Sequence, residues 1–217
     1  MGLISDEDKK YLKNEFNSKM KDEVHIKLFT QKIDCQYCPS TEQILKEISD
    51  LDERIKVEIL NVVENKDVKE KYSIDKIPAI VLLDKEDKDF GIRYFGIPSG
   101  YEFGTLVEDI ISVSSLDSGL SEEIKSRLGS VDQEIHIQVF ITPTCPYCPK
   151  AVRTAHQFAI ENDYIRADMI EATEFPELSN KYGVYGVPKV VINEDIQFEG
   201  AVPENVFMDY IMKALKK

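Results

Sequence analysis

The chain has 217 residues, of which 42% are hydrophobic and 31% are charged, and its formal net charge is −13. This length suits one large globular domain or two small ones, and the excess of acid excludes a general nucleic-acid surface because acidic proteins repel phosphates. Residues 1–16 are charged where a signal peptide needs an apolar core, and the longest apolar run, 77–83, is too short to cross a bilayer. We therefore expect a cytoplasmic protein that binds neither nucleic acid nor membrane.

The hydrophobic pattern predicts one series of elements twice along the chain. The first series is a helix at 5–20, a strand at 24–29, a helix at 40–51, a strand at 55–60, a short helix ending at Tyr72, strands at 79–84 and 88–95, and a helix at 101–113. The second is a helix at 121–128, a strand at 135–140, a helix at 150–162, a strand at 165–170, a short helix ending at Tyr182, strands at 189–193 and 196–200, and a helix at 204–215. The pattern indicates an α/β fold of order β-α-β-α-β-β-α, with a leading helix, present twice.

Four sequence blocks recur in the same order, which indicates an internal repeat. The pairs are "HIKLF" (25–29) with "HIQVF" (136–140), "CQYCP" (35–39) with "CPYCP" (145–149), "KIPAIVLL" (76–83) with "GVPKVVIN" (186–193), and "FGIPSGYEF" (95–103) with "EGAVPENVF" (199–207). The polar segment 114–119 separates the two copies. We predict an N-terminal unit at 1–116 and a C-terminal unit at 117–217 that pack as one body.

All cysteines of the chain lie in two Cys-x-x-Cys motifs, formed by Cys35 with Cys38 and by Cys145 with Cys148. They could be redox-active thiols, the halves of a zinc site or structural disulfides. Structural disulfides are rare in the cytosol, and a loop this short constrains the unfolded chain little. A four-thiolate zinc site usually takes its pairs from neighbouring knuckles, whereas a whole repeat intervenes here. A position between a strand and a helix favours redox chemistry, because the helix N-terminus stabilises a thiolate and the second cysteine can attack a mixed disulfide.

Two prolines complete the pattern. Pro78 and Pro188 follow Ile77 and Val187, and each opens a strongly apolar strand. Proline normally argues against a central strand, and a cis X–Pro bond would resolve that conflict.

A Cys-x-x-Cys motif between a strand and a helix, followed by Ile-Pro or Val-Pro, resembles the pattern of the thioredoxin superfamily. "CPYC" at 145–148 is similar to the glutaredoxin active site. Two such units, with the blocks at 90–103 and 142–162, resemble the tandem-fold protein disulfide oxidoreductases of hyperthermophiles. The high lysine and glutamate content is typical of a thermophilic source.

The resemblance implies two thioredoxin folds and a thiol–disulfide oxidoreductase that reduces, oxidises or isomerises protein disulfides. It implies no bound cofactor or metal, and electrons from an NADPH-dependent flavoprotein of the thioredoxin reductase type. Two other functions stay open: a dedicated electron carrier to a peroxiredoxin and, in a different class, a non-catalytic zinc or protein-binding module. The implied site comprises the attacking thiols Cys35 and Cys145, the resolving thiols Cys38 and Cys148, the substrate-binding cis-proline pairs Ile77–Pro78 and Val187–Pro188, and the motif residues Gln36, Tyr37, Pro146 and Tyr147.

The sequence also departs from thioredoxin. The chain has no tryptophan, and the acid of thioredoxin's first strand should fall near Phe29 and Phe140, which are apolar. Asp34 directly precedes Cys35, whereas neutral Thr144 precedes Cys145. Because a carboxylate disfavours a neighbouring thiolate, we predict that Cys145 is the more acidic thiol and that its disulfide is the more oxidising.

Three histidines complete the list of candidate groups. His25 and His136 occupy matching strand starts, and His156 lies on a helix. No sequence spacing joins them to a carboxylate or a cysteine, so we predict that they are strand-flank and surface residues.

Overall fold

The computed structural model describes residues 2–216, and its elements follow the predicted order. The first series is α1 Asp6–Lys19, β1 Val24–Thr30, α2 Cys38–Ser49, β2 Ile55–Asn61, α3 Lys66–Lys71, β3 Ala79–Asp84, β4 Asp89–Phe95 and α4 Glu102–Ser115. The second series is α5 Glu122–Leu128, β5 Ile135–Ile141, α6 Cys148–Glu161, β6 Ile165–Glu171, α7 Pro176–Lys181, β7 Lys189–Ile192, β8 Ile196–Glu199 and α8 Glu204–Ala214. No helix within 2–216 is long and apolar enough to span a membrane.

The chain divides into two compact units. Unit 1 comprises Met1–Asp89, Tyr94–Ile97 and Ile110–Leu116, and unit 2 comprises Phe90–Arg93, Pro98–Asp109 and Asp117–Lys217. The residues at 90–93 and 98–109 are thus grouped with unit 2. A single division into 1–116 and 117–217 stays a prediction.

Strand pairing is the same in both series and sets the position of the cysteines. In the first, β1 pairs parallel with β2 and antiparallel with β3, in the order β2-β1-β3-β4. In the second, β5 pairs parallel with β6 and antiparallel with β7, in the order β6-β5-β7-β8. A parallel pair needs a crossover helix, which α2 and α6 supply. Each of these helices therefore begins at the edge of the sheet where the carboxyl end of β1 or β5 lies.

The amphipathic face that the sequence predicts for α6 is buried. Ala151, Val152, Ala155, Phe158 and Ala159 recur at helical spacing, and each is 3% exposed or less. The ring of Phe158 packs edge-on against Phe207 of α8, with 5.2 Å between the ring centroids. Burying a side chain of this size stabilises the fold by about 1.5–3 kcal/mol, so this contact holds α6 and its cysteine in place.

Candidate active site

The four cysteines form two disulfides, one inside each motif. The Cα–Cα distance is 5.5 Å in both the Cys35–Cys38 pair and the Cys145–Cys148 pair. In the described part of the chain, no cluster of three or more His, Cys, Asp or Glu side chains could hold a metal ion.

The two cysteines of each motif differ in exposure. Cys38 and Cys148 are 1% and 0% exposed, whereas Cys35 is partly exposed and Cys145 is 8% exposed. Solvent therefore reaches the first cysteine of each pair more readily than the second.

Helices α2 and α6 begin earlier than the sequence analysis placed them. The predicted starts were residues 40 and 150, but the first helical residues are Cys38 and Cys148. Proline suits the first turn because it lacks the N–H that would have no helical partner there, so Pro39 and Pro149 do not delay the helix. The first cysteine of each pair thus lies just outside a helix N-terminus.

No side chain caps either helix start. Tyr37 and Tyr147 occupy the N-cap positions without a side-chain hydrogen bond to the helix, and neither first turn contains an acid. The partial positive charge of the helix N-terminus is therefore not offset by a local carboxylate in that turn. Such an environment lowers the pKa of a nearby thiol and favours the thiolate.

Both predicted X–Pro bonds are cis. The cis bonds join Ile77 to Pro78 and Val187 to Pro188, and the strands β3 and β7 begin one residue after each proline. In unit 2 the carbonyl oxygen of Val187 lies 3.6 Å from the sulfur of Cys145. The residue before the proline and the first cysteine of the motif are thus neighbours, although 42 residues separate them in sequence.

The remaining motif residues lie at the surface. Gln36 and Pro146 are exposed, Tyr37 is partly exposed, and Tyr147 is 71% exposed. Tyr147 therefore does not bury its ring over the sulfurs. Tyr185, which the sequence analysis did not single out, is 98% exposed and lies two residues before Val187.

The prediction that the histidines are strand-flank and surface residues is wrong for His156. This side chain is fully buried, and its Nδ1 lies 2.5 Å from Oδ2 of Asp109 in α4. Asp109 also accepts a hydrogen bond from Nη1 of Arg153 at 2.6 Å. His136 lies at a strand start as expected, but its Nε2 is 2.7 Å from Oδ2 of Asp168. These pairings come from tertiary contacts, which no spacing in the sequence reveals.

Comparison with known proteins identifies the fold. The family described as "Thioredoxin domain" matches residues 24–108 and again residues 135–213. The chain belongs to the thioredoxin domain family. Two thioredoxin-fold units and an α/β architecture are thereby confirmed, and the protein is a thioredoxin-like oxidoreductase with two Cys-x-x-Cys disulfides.

Two solved structures share this fold over nearly the whole chain. A protein disulfide oxidoreductase from Aeropyrum pernix K1 is 31% identical with a TM-score of 0.90, covering 97% of this chain and 93% of that one. The alkylhydroperoxide reductase protein AhpF from Enterococcus faecalis, as a C503A mutant, is 25% identical with a TM-score of 0.88, covering 95% and 98%.

Two curated relatives match smaller shares. A thioredoxin from Methanocaldococcus jannaschii is 35% identical over 83 residues, which are 38% of this chain and 98% of that protein. The alkyl hydroperoxide reductase protein AhpF from Staphylococcus aureus is 28% identical over 152 residues, which are 70% of this chain and 27% of that protein. The match thus spans about a quarter of the staphylococcal protein's length.

Proposed function

We propose that the protein is a protein disulfide oxidoreductase that acts through both motifs. The observation that carries the proposal is a disulfide-bonded Cys-x-x-Cys at an uncapped helix start, with its first cysteine the more exposed, found in each unit. Similarity along almost the full chain to the protein disulfide oxidoreductase of Aeropyrum pernix supports the same substrate class.

The mechanism assigns the more exposed cysteine of each pair, Cys35 and Cys145, as the attacking thiol. In the reduced protein, the thiolate of Cys35 or Cys145 attacks a substrate disulfide, so one substrate sulfur leaves as a thiolate and a mixed disulfide forms. The substrate lies against Ile77–Pro78 or Val187–Pro188. Cys38 or Cys148 then loses its proton and attacks the sulfur of Cys35 or Cys145. The motif disulfide closes, and the second substrate sulfur leaves as a thiolate, so two electrons have passed to the substrate.

The closed disulfide must be reduced again before another turnover. We propose that a flavoprotein of the thioredoxin reductase type supplies these electrons from NADPH. The same steps in reverse order would insert a disulfide into a substrate. Repeated exchange through mixed disulfides would isomerise the disulfides of a substrate. The motif residues Gln36, Tyr37, Pro146 and Tyr147 border the approach of the substrate in this scheme.

Reduction of insulin by dithiothreitol tests the proposal. We expect the wild type to accelerate it, Cys35→Ser and Cys145→Ser each to retain the activity of the other unit, and the double variant to fall to the uncatalysed rate. Acceleration by the double variant would contradict the assigned thiols. A wild type without any acceleration would instead favour a protein-binding module.

A second candidate function is electron transfer to a peroxiredoxin. Its support is the similarity to the alkyl hydroperoxide reductase protein AhpF of two bacteria. Two parallel assays distinguish the functions. In one, the reduced form of this protein is mixed with insulin; in the other, it is mixed with an oxidised peroxiredoxin and a hydroperoxide. Rapid turnover with the peroxiredoxin and none with insulin would select the electron carrier.

We expect the pKa of the Cys145 thiol to be lower than that of the Cys35 thiol. Asp34 lies directly before Cys35, whereas neutral Thr144 lies directly before Cys145. The lesser exposure of Cys145 acts in the opposite direction, since burial disfavours a thiolate. The measurement is the pH dependence of alkylation by iodoacetamide in variants that keep only one motif. Asp34→Asn is the matched control and should lower the pKa of Cys35 alone. The prediction is refuted if, without that substitution, the pKa of Cys35 is lower than that of Cys145.

A further inference from the structure

Two exposed tyrosines lie on the two segments that border Cys145. Tyr147 is 71% exposed and lies between the cysteines of the motif. Tyr185 is 98% exposed and lies two residues before Val187. A single exposed tyrosine is common on a protein surface. Both of these, however, belong to segments that a substrate of Cys145 must approach.

The cis-proline segment places Tyr185 within reach of a bound substrate. The carbonyl oxygen of Val187 lies 3.6 Å from the sulfur of Cys145. Consecutive Cα atoms are about 3.8 Å apart, so the Cα of Tyr185 is at most about 7.6 Å from that of Val187. The two Cα atoms of a disulfide are about 4.4–6.8 Å apart, which sets the distance between a substrate chain and Cys145. A side chain one or two residues from the substrate cysteine can therefore reach the ring of Tyr185.

The ring of Tyr185 lies beside the backbone of its own loop and leaves its apolar surface open. Its Cε2 is 3.6 Å from the position that a Cβ on Gly183 would occupy. With 98% of the residue exposed, almost the whole ring is available to a substrate side chain. Covering it would remove apolar area from water, and a second aromatic ring would add a favourable stacked or edge-to-face contact.

No charged residue occurs within either segment. Residues 142–149 and 184–188 consist of valine, threonine, tyrosine, glycine, cysteine and proline. Charges of both signs lie just outside them: Lys150 and Glu199 are exposed, and Lys189 is 9% exposed. A tyrosine offers a substrate a large apolar surface with one hydroxyl, so the recognition that the two segments provide is aromatic rather than ionic.

The equivalent segments of unit 1 are charged. They contain Lys32, Asp34, Asp75 and Lys76. Asp75 occupies the position that corresponds to Tyr185, and it pairs with Nζ of Lys76 at 2.6 Å. The same Nζ lies 4.1 Å from the centroid of the Phe95 ring. Ile33 is 73% exposed but aliphatic. The cis-proline segments of the two units therefore offer a substrate different chemistry, an ion pair in unit 1 and an open aromatic ring in unit 2.

We propose that Tyr185 is a specificity-determining residue of unit 2, which binds an aromatic side chain next to the cysteine of a protein substrate. The inference rests on the proposed function and names the class of segment that unit 2 selects. Tyr185, together with Tyr147, packs against the substrate ring while the Cys145 thiolate attacks the substrate disulfide. The contact raises the rate of attack by holding the disulfide near Cys145, and it does not touch the reacting sulfurs. Cysteines and aromatic rings are mostly buried in folded proteins, so such segments are accessible chiefly before folding is complete.

The test uses the full chain carrying Cys35→Ser and Cys38→Ser, so that only unit 2 reacts. The reduced protein is mixed with an excess of one of two symmetric peptide disulfides, in which either phenylalanine or alanine flanks each cysteine. Attack by Cys145 releases one peptide thiol and closure of the motif disulfide by Cys148 releases the other. Acid quenching followed by chromatography measures both. Reduction of the same peptides by dithiothreitol corrects for their intrinsic reactivity. We expect the corrected second-order rate constant to be roughly threefold to tenfold higher for the phenylalanine peptide.

Three variants assign this preference to the ring of Tyr185. Tyr185→Ala should lower the ratio of the two rate constants to roughly twofold or less, and Tyr185→Phe should keep it because the ring remains. Tyr164→Ala is the matched control and should leave the ratio unchanged. Tyr164 is 52% exposed, but it precedes β6 at the amino end of the parallel β5–β6 pair, whereas the motif follows the carboxyl end of β5. Bis(2-hydroxyethyl) disulfide has no side chain for the tyrosine to bind, so its rate should be the same in every variant.

Four results would overturn the inference: a parent without a preference for the phenylalanine peptide, an unchanged ratio in Tyr185→Ala, an equal fall in Tyr164→Ala, or a slower reaction of Tyr185→Ala with bis(2-hydroxyethyl) disulfide. The last would show that the substitution disturbs the motif itself. A parent that releases no thiol from either peptide or from bis(2-hydroxyethyl) disulfide would instead count against the proposed function.

Discussion

Cys148→Ser, in a chain that also carries Cys35→Ser and Cys38→Ser, is expected to hold substrates as stable mixed disulfides on Cys145. Cys148 is the first residue of α6 and is adjacent to the sulfur that it attacks. Intramolecular attack by an oriented group has a very high effective concentration, so its loss should lengthen the life of the mixed disulfide by roughly a thousandfold or more. Non-reducing electrophoresis followed by mass spectrometry measures the adducts and identifies the captured proteins.

The matched control exchanges the roles of the two cysteines. A chain with Cys145→Ser that keeps Cys148 should capture almost nothing, because Cys148 is 0% exposed and a protein substrate cannot reach it. The equivalent trap in unit 1 is Cys38→Ser with Cys145→Ser and Cys148→Ser. Equal capture by Cys148 alone would contradict the assignment of attacking and resolving thiols.

Asp168→Ala is expected to lower the free energy of unfolding by about 3 kcal/mol at pH 6, the largest effect on stability that we expect. Asp168 is fully buried in β6 and is bound by His136 at 2.7 Å and by Arg166 at 2.8 Å. Removing it takes away the buried acceptor that binds His136 and Arg166. Urea unfolding of the wild type and the variant measures the difference.

The contacts of Asp168 also predict how the free energy of unfolding changes with pH. Burial raises the pKa of Asp168, but the hydrogen bond and charge of His136 and the charge of Arg166 outweigh it and lower the value from 3.8 to about 2. A folded-state pKa below the unfolded value means that the stabilisation is complete above about pH 4 and is lost as the pH falls towards 2. The contribution at stake is about 2 kcal/mol. The difference between wild type and Asp168→Ala should therefore shrink over that window.

Unit 1 supplies the control for this prediction. Glu58 is opposite Lys27 in β2, as Asp168 is opposite Gln138 in β6, and it forms an ion pair with Lys27. The Glu58 side chain is 55% exposed, so Glu58→Ala should cost about 0.5 kcal/mol or less. A similar loss in both variants, or a difference for Asp168→Ala that does not change with pH, would show that burial of the pair is not the cause.

Local patterns were enough to predict most of the fold. The repeated blocks, the alternation of strands with helices and the position of both cysteine motifs follow from short stretches whose periodicity reflects one buried face. The cis geometry at Pro78 and Pro188 could be predicted because proline conflicts with a strand unless the bond is unusual. The helices start at Cys38 and Cys148, two residues before the predicted starts at 40 and 150, because the predicted bounds followed the hydrophobic pattern, which begins only after the motif prolines.

Tertiary contacts account for what the sequence did not reveal. In sequence Glu102 is an acid in the first turn of a helix, but the side chain is 0% exposed, and the preceding residue Tyr101 binds Pro143 in a loop more than 40 residues away. The buried contact of His156 is likewise not visible in the sequence, since its partner Asp109 lies 47 residues before it. Spacing rules describe one helix or strand at a time, so they do not report which side chain a second helix covers.

The bare starts of α2 and α6 set a limit on how this protein can be stabilised. A serine or aspartate at position 37 or 147 would bind the first-turn amides and strengthen the helix by about 1 kcal/mol once the backbone there changed from αR to the extended conformation of the capping residues Ser5 and Ser121. The same side chain would compete with sulfur for those amides, and an aspartate would add a repelling charge beside it. The same N–H groups therefore affect both thermal stability and thiol reactivity. A substitution at these two positions that raises thermal stability should lower the reactivity of the thiol.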